Sequence, residues 1–139
     1  MQKKGDVVMS TEQNKAVVRR FIAEVLTGKN PGLADELLSP GYVNRAFGTD
    51  LAGFKQMIGG LKSVLTDIQY DKVDLVAEGD AVVARWKMEA TNNGSGKKLS
   101  ARGLTYYRLA NGKIVEDDPI STPDLMQALG IQMPAQSGR

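Results

Sequence analysis

The chain has 139 residues, 42% hydrophobic and 24% charged, with a net charge of +2. That length suits one domain around a single core, and the basic residues, scattered apart from pairs such as Lys3-Lys4, Arg19-Arg20 and Lys97-Lys98, form no patch for nucleic acid. The chain contains neither cysteine nor histidine, which excludes disulfides, thiolate nucleophiles, serine–histidine triads and metal sites built on Cys or His, and leaves acid–base chemistry to carboxylates, tyrosines, lysines or bound water.

The opening MQKKGDVVM has two lysines but no apolar run long enough for a signal peptide. No stretch approaches the roughly 20 apolar residues that span a bilayer. The expectation is a cytoplasmic protein without membrane contact. Residues 1–9 read as a disordered extension, 10–130 as the folded domain and 131–139 as a flexible tail.

Ser10-Thr11 followed by Gln13 predicts a capping box. Behind it Val17, Val18, Phe21, Ile22, Val25 and Leu26 recur at helical spacing, and Gly28 ends the helix. Asn30-Pro31 predicts a second, shorter helix with Asn30 as cap, buried through Leu33, Leu37 and Leu38 and stopped by Ser39-Pro40-Gly41. Residues 42–47 then form a brief extended segment. Asp50 caps a third helix whose inner side carries Leu51, Phe54, Met57, Ile58, Leu61, Val64 and Leu65. Gly59-Gly60 weakens it and suggests close packing or a bend.

From Ile68 the period changes to two. Strands are expected over 68–77, 81–91, 99–109 and 113–121, joined by turns at Gly79, at residues 92–97 and at Asn111-Gly112, a type I′ hairpin signal. In the second strand Val82, Ala84, Trp86, Met88 and Ala90 share one dry face, while Val83, Arg85, Lys87, Glu89 and Thr91 share the other. Thr122-Pro123 opens a last short helix, Asp124 to Leu129, closed by Gly130. Three N-terminal helices followed by an antiparallel meander make an α+β fold. The sheet is expected to curl around the helices into a cone that encloses a pocket.

Several stretches resemble a known family. They are NKAVVRRFIAEVLTGKNPGLADELLSPGYVNR, GFKQMIGGLKSVLTDIQ, LVAEGDAVVARWKM and the close, NGKIVE followed by PDLMQALG. Together, over residues 11–130, they resemble SnoaL-like polyketide cyclases, within the NTF2-like (cystatin-like α+β cone) superfamily. The resemblance implies aldol ring closure without metal or organic cofactor, in a hydrophobic cavity, with an aspartate near the end of the last strand as acid/base. Relatives often place a histidine after the tyrosine of the segment behind the second helix. Here that segment reads Tyr42-Val43-Asn44-Arg45. Two residues beyond NGKIVE the family usually has a tryptophan, with an acid four residues further; here those positions hold Asp118 and Thr122.

Asp118 is the candidate catalytic base. If Ile114 points inward, period two sends Glu116, Asp118 and Ile120 with it. An aspartate facing a dry cavity would have a raised pKa suited to removing a proton beside a carbonyl. The opposing reading makes Asp118 a solvated rim residue, because Pro119 favours an edge or a bulge, and a bulge breaks the parity count. Glu116 and Asp117 are expected to be solvated or paired. The candidate substrate-binding residues are Tyr42, Asn44, Trp86, Met88 and Tyr107. The neighbours Tyr106 and Tyr107 face opposite ways, so one can line the pocket and donate to an enolate oxygen, unless it is simply a core or interface tyrosine. Asn44 can orient a carbonyl or a water, and Arg45 an acidic group, unless either merely caps a turn. No metal site is expected from Asp67, Asp71 and Asp74, and Gly94-Ser95-Gly96-Lys97 is no phosphate loop. The expected ligand is a small apolar carbonyl compound. The outer sheet face, with Val83 and Leu104 among its charges, is expected to support a homodimer. Two alternatives stand beside the enzyme: a non-catalytic small-molecule-binding protein, and an interaction module using the outer sheet face.

Overall fold

The computed structural model describes residues 9–122. The expected last helix and C-terminal tail, and nearly all of the N-terminal extension, lie outside the described residues. Helix α1 (Thr11–Arg20) begins with the expected capping box: Ser10 Oγ accepts from the Gln13 N–H at 3.0 Å, and the Gln13 side chain accepts from the Ser10 N–H at 2.8 Å. The helix then widens into a π turn over Phe21–Leu26, which buries Phe21, Ile22 and Val25. Gly28, at φ +76°, turns the chain out of it in the left-handed conformation that favours glycine.

The second helix departs from expectation at both ends. Asn30 makes no side-chain cap bond; Pro31–Leu33 is a 3₁₀ turn leading into a single turn of α-helix, α2 (Ala34–Leu37). Leu38 is already extended, and the chain runs on through Ser39-Pro40-Gly41 as strand β1 (Leu38–Asn44). After β2 (Thr49–Asp50) comes α3 (Leu51–Val64), whose Gly53 N–H donates to Asp50 Oδ1 at 2.9 Å as a helix cap. Among the described residues Gly59 and Gly60 serve no close packing: a Cβ on either would meet none of them within 4 Å.

Four long antiparallel strands follow: β3 (Leu65–Glu78), β4 (Ala81–Asn92), β5 (Lys98–Ala110) and β6 (Lys113–Ser121). Asn111 and Gly112 have φ of +54° and +78°, as a type I′ hairpin requires. The sheet has six strands in the order β2-β1-β6-β5-β4-β3 and curves over the helices into the expected cone. Strand β1, expected only as an extended segment over 42–47, starts four residues earlier and lies parallel to β6, with Asn44 beside Asp117.

The inner face is dry. Val82, Ala84, Trp86, Met88 and Ala90 of β4 are all buried, matching the alternation in the sequence. Phe21 and Phe54 stack at 5.6 Å between ring centroids, and Tyr107 and Tyr42 meet them edge-on at 6.0 and 5.4 Å. Such pairs contribute roughly 0.5–1.5 kcal/mol each beyond area burial. They pin α1 and α3 against the sheet at the end where the site lies.

Candidate active site

Strand β6 does not keep its parity. Arg108 pairs with Glu116 but Leu109 pairs with Ile114, so Val115 is an extra residue, a β-bulge. Ile114 points inward; after the bulge Asp117, Pro119 and Ser121 take the inner face, and Glu116, Asp118 and Ile120 the outer one. The expectation for Asp118 is therefore corrected: it is exposed and stands beside Tyr106 on the outer surface. The expectation for Asp117 is corrected the other way. Its carboxyl is buried, at 4% exposure.

Two strand neighbours flank Asp117 on the inner face, Asn44 of β1 and Tyr107 of β5. Tyr42 Oη donates to Asp117 Oδ2 at 2.9 Å. Asn44 Nδ2 approaches Tyr42 Oη at 3.5 Å, and Asn44 Oδ1 accepts from the Phe47 N–H at 3.1 Å, which fixes the orientation of the amide. Burial pushes the Asp117 carboxyl up from 3.8 to about 7; the Tyr42 hydrogen bond opposes this and the nearby Asp118 charge adds to it. Burial first, then the Asp117 charge, raises the phenols of Tyr42, Tyr70 and Tyr107, so all three remain protonated donors at neutral pH.

A second chain of hydrogen bonds ends at Tyr107. Trp86 Nε1 can only donate, and does so to Thr105 Oγ1 at 2.9 Å. The Thr105 hydroxyl therefore has its own proton to give, and its bond to Tyr107 lowers that phenol's pKa against the stronger effect of burial. A Tyr107 oxygen that accepts from Thr105 keeps its proton for a third group. Trp86 reaches this position because Gly103 lies directly across from it on β5. A Cβ there would overlap the indole ring and the Ile120 carbonyl.

These groups line a cavity of about 100 Å³ whose wall is completed by apolar side chains such as Leu26, Phe54, Met57 and Ile58. Of the expected substrate-binding residues, Asn44, Trp86 and Tyr107 line it. Met88 is buried in the core outside the lining, and Tyr42 reaches the site only through its bond to Asp117. Arg45 turns outward to Glu116 Oε2 at 3.1 Å; with Arg108 it holds the Glu116 carboxyl below the usual range. Tyr70, Thr105, Pro119 and Ser121 also line the cavity. For Pro119 and Ser121 the sequence signal was the adjacency of two aspartates to Pro119, which marks a bulge without giving its position. Among the described residues, no cluster of three or more Asp or Glu side chains could hold a metal ion.

The model of the SnoaL-like domain matches residues 18–117 of this chain. No curated protein matches the sequence. A candidate polyketide cyclase from Acidithiobacillus ferrooxidans is similar in structure, at 24% identity and a TM-score of 0.73, over 89% of this chain and 100% of the other. IdmH from Streptomyces antibioticus, also a candidate polyketide cyclase, superposes with a TM-score of 0.72 at 21% identity, over 86% of this chain and 99% of that one. A protein with a ketosteroid isomerase-like fold from Catenulispora acidiphila, in complex with trimethylamine, has a TM-score of 0.68 at 17% identity, over 85% and 97%. At these identities the likeness establishes the fold.

Proposed function

The chain belongs to the SnoaL-like domain family, and on that premise we propose that it is a cofactor-free enzyme that removes a proton beside the carbonyl of a small, largely apolar compound, as in aldol cyclisation or isomerisation. The observation that carries this reading is the Asp117 carboxyl, buried in an apolar cavity with Tyr42 donating to one of its two oxygens. With a pKa raised to about 7 it is both ionised in useful amount and basic enough to take a carbon-bound proton near neutral pH.

Asp117 Oδ1 takes the α-proton, and the electron pair of the broken C–H bond moves to the carbonyl oxygen. The Tyr107 hydroxyl donates to that developing oxyanion. In a cyclisation the enolate carbon attacks a second carbonyl carbon, and the resulting alkoxide takes the proton back from Asp117. Tyr42 and Asn44 are positioning residues that fix the carboxyl plane. Trp86 provides a flat wall for the substrate.

The test is α-proton exchange in D₂O, followed by NMR, over a panel of small aryl ketones and 1,3-diketones. Wild type is expected to exchange at least one of them, and Asp117→Asn to be inert. Binding without exchange by wild type would instead establish the non-catalytic ligand-binding alternative.

Two further parts of the reading concern the surroundings. The outer sheet face exposes Val76 at 67%, Leu104 at 50% and Ile120 at 74%, in adjacent rows. A contiguous apolar patch of this kind supports a homodimer formed by sheet packing. Sedimentation of wild type against Leu104→Glu/Ile120→Glu tests it, with a monomeric wild type as the contrary result. No helix among the described residues is long and apolar enough to cross a membrane. Residence in the cytoplasm is part of this proposal, and fractionation of the native cell tests it.

A further inference from the structure

The inner cavity, at about 100 Å³, is smaller than the roughly 300–1,000 Å³ usual for a small-molecule site. A second, larger hollow lies behind one of its walls. This groove, of about 470 Å³, runs between the end of α1 with its π turn and strand β3, and is lined by Arg19, Thr27, Lys29, Asp71 and Val73 among others. Tyr70 belongs to both linings.

Resting on the reading of the cavity as a substrate site, we propose that Tyr70 is a movable partition between cavity and groove, and that the opened pair takes an elongated substrate whose apolar carbonyl end meets Trp86 and whose anionic end lies between Arg19 and Lys29.

Three features of the fold support movement at Tyr70. Strand β3 is an edge of the sheet, and nothing among the described residues pairs with its far side. The register with β4 shifts on both sides of Tyr70, between Thr66 and Gln69 and again between Asp71 and Asp74. Asp67 and Lys72, neither of them glycine, sit at φ +53° and +51° at these two irregularities. Tyr70 thus rides on a three-residue patch, Gln69–Asp71, isolated by two bulges. Local distortion of this kind at a sheet edge re-aims side chains without disturbing the ladder beyond it. Tyr70 as a residue is half-buried, and its aromatic contact is edge-on with Trp86 at 5.6 Å.

The groove's charge supports the anionic end. Arg19 and Lys29 form no ion pair among the described residues, whereas the neighbouring Arg20 pairs with Glu36 at 3.5 Å. Asp71 is the opposing charge in the lining, which leaves one positive charge in excess. With the ring displaced, the small cavity opens into a groove that is itself of the usual size of a small-molecule site.

The probes are benzaldehyde, a series of ω-phenylalkanoates of increasing chain length, and the ω-phenylalkanols of matching length. Quenching of Trp86, the only tryptophan in the chain, reports binding. Above a threshold chain length the acids are expected to bind roughly tenfold tighter than the alcohols, an advantage that added salt reduces. Arg19→Ala/Lys29→Ala, two surface changes, should abolish that advantage and leave benzaldehyde binding unchanged. Tyr70→Ala should speed association of the long acids severalfold, and Tyr70→Phe should not. Equal affinity of acids and alcohols, or an acid preference that survives the double substitution, overturns the proposal while benzaldehyde binding leaves the cavity reading intact. Failure of every probe, benzaldehyde included, counts against the cavity reading itself.

Discussion

Replacing Asp117 with asparagine is expected to make the protein more stable above pH 7 and to remove a pH dependence that wild type carries. The folded carboxyl titrates near 7, against 3.8 for an ordinary aspartate. Below the lower value both folded and unfolded chains hold the proton. Between the two values the unfolded chain has lost it and the folded chain keeps it, so the native state binds more protons and stability falls as pH rises. The slope from this group is about 1.4 kcal/mol per pH unit, and over the whole interval the loss reaches about 4 kcal/mol. Above pH 7 the loss is complete and constant. Asparagine occupies the same space and its Oδ1 can accept the Tyr42 hydrogen bond, so the substitution removes the charge without leaving Tyr42 unpartnered. Its amide N–H groups add a burial cost that does not vary with pH. Urea unfolding of both proteins at half-unit intervals from pH 4.5 to 9 gives the difference directly, since every other titrating group is shared. A stability difference that rises towards pH 7 and then levels is the predicted result. A flat difference would refute the burial of an ionisable Asp117.

Tyr107→Phe is expected to lower turnover of an active carbonyl substrate by about 10²-fold with little change in binding, since the phenol acts on charge that develops during reaction; steady-state kinetics separate the two. Gly103→Ala is expected to cost about 1–3 kcal/mol through overpacking and to shift Trp86 emission, because the new methyl group would displace the indole; urea titration followed by fluorescence measures both. Gly59→Ala and Gly60→Ala, on the open side of α3, are each expected to stabilise by about 1 kcal/mol and to raise the melting temperature by a few degrees. Calorimetry checks the gain.

The parts of the fold legible in the sequence were those set by short-range chemistry. The Ser10/Gln13 box, the Asp50 cap, the Asn111-Gly112 turn and the alternation of β4 each depend on a few neighbouring residues, and each formed as expected. The parts that were not legible depend on pairing between distant segments. Leu38–Asn44 joins the sheet only because β6 is there to receive it, and its Pro40-Gly41 resembles a helix stop from sequence alone. The same limit moved the candidate base by one residue. Strict alternation from Ile114 selects Asp118; one extra residue at Val115 selects Asp117, and the bulge shows only in the pairing with β5. Gly103 could have been singled out, since a glycine inside a strand marks close approach, here by Trp86 across the ladder. Tyr70 carried no signal, because the bulges of β3 erase its period.

The most direct test of this account is the titration of the Asp117 carboxyl by ¹³C NMR, with the resonance assigned from Asp117→Asn. The predicted midpoint is near 7, moving down in Asp118→Asn as the neighbouring negative charge is removed. A midpoint near 4 would contradict the account, because it would mean a carboxyl solvated as any surface aspartate is and without the basicity that proton abstraction requires.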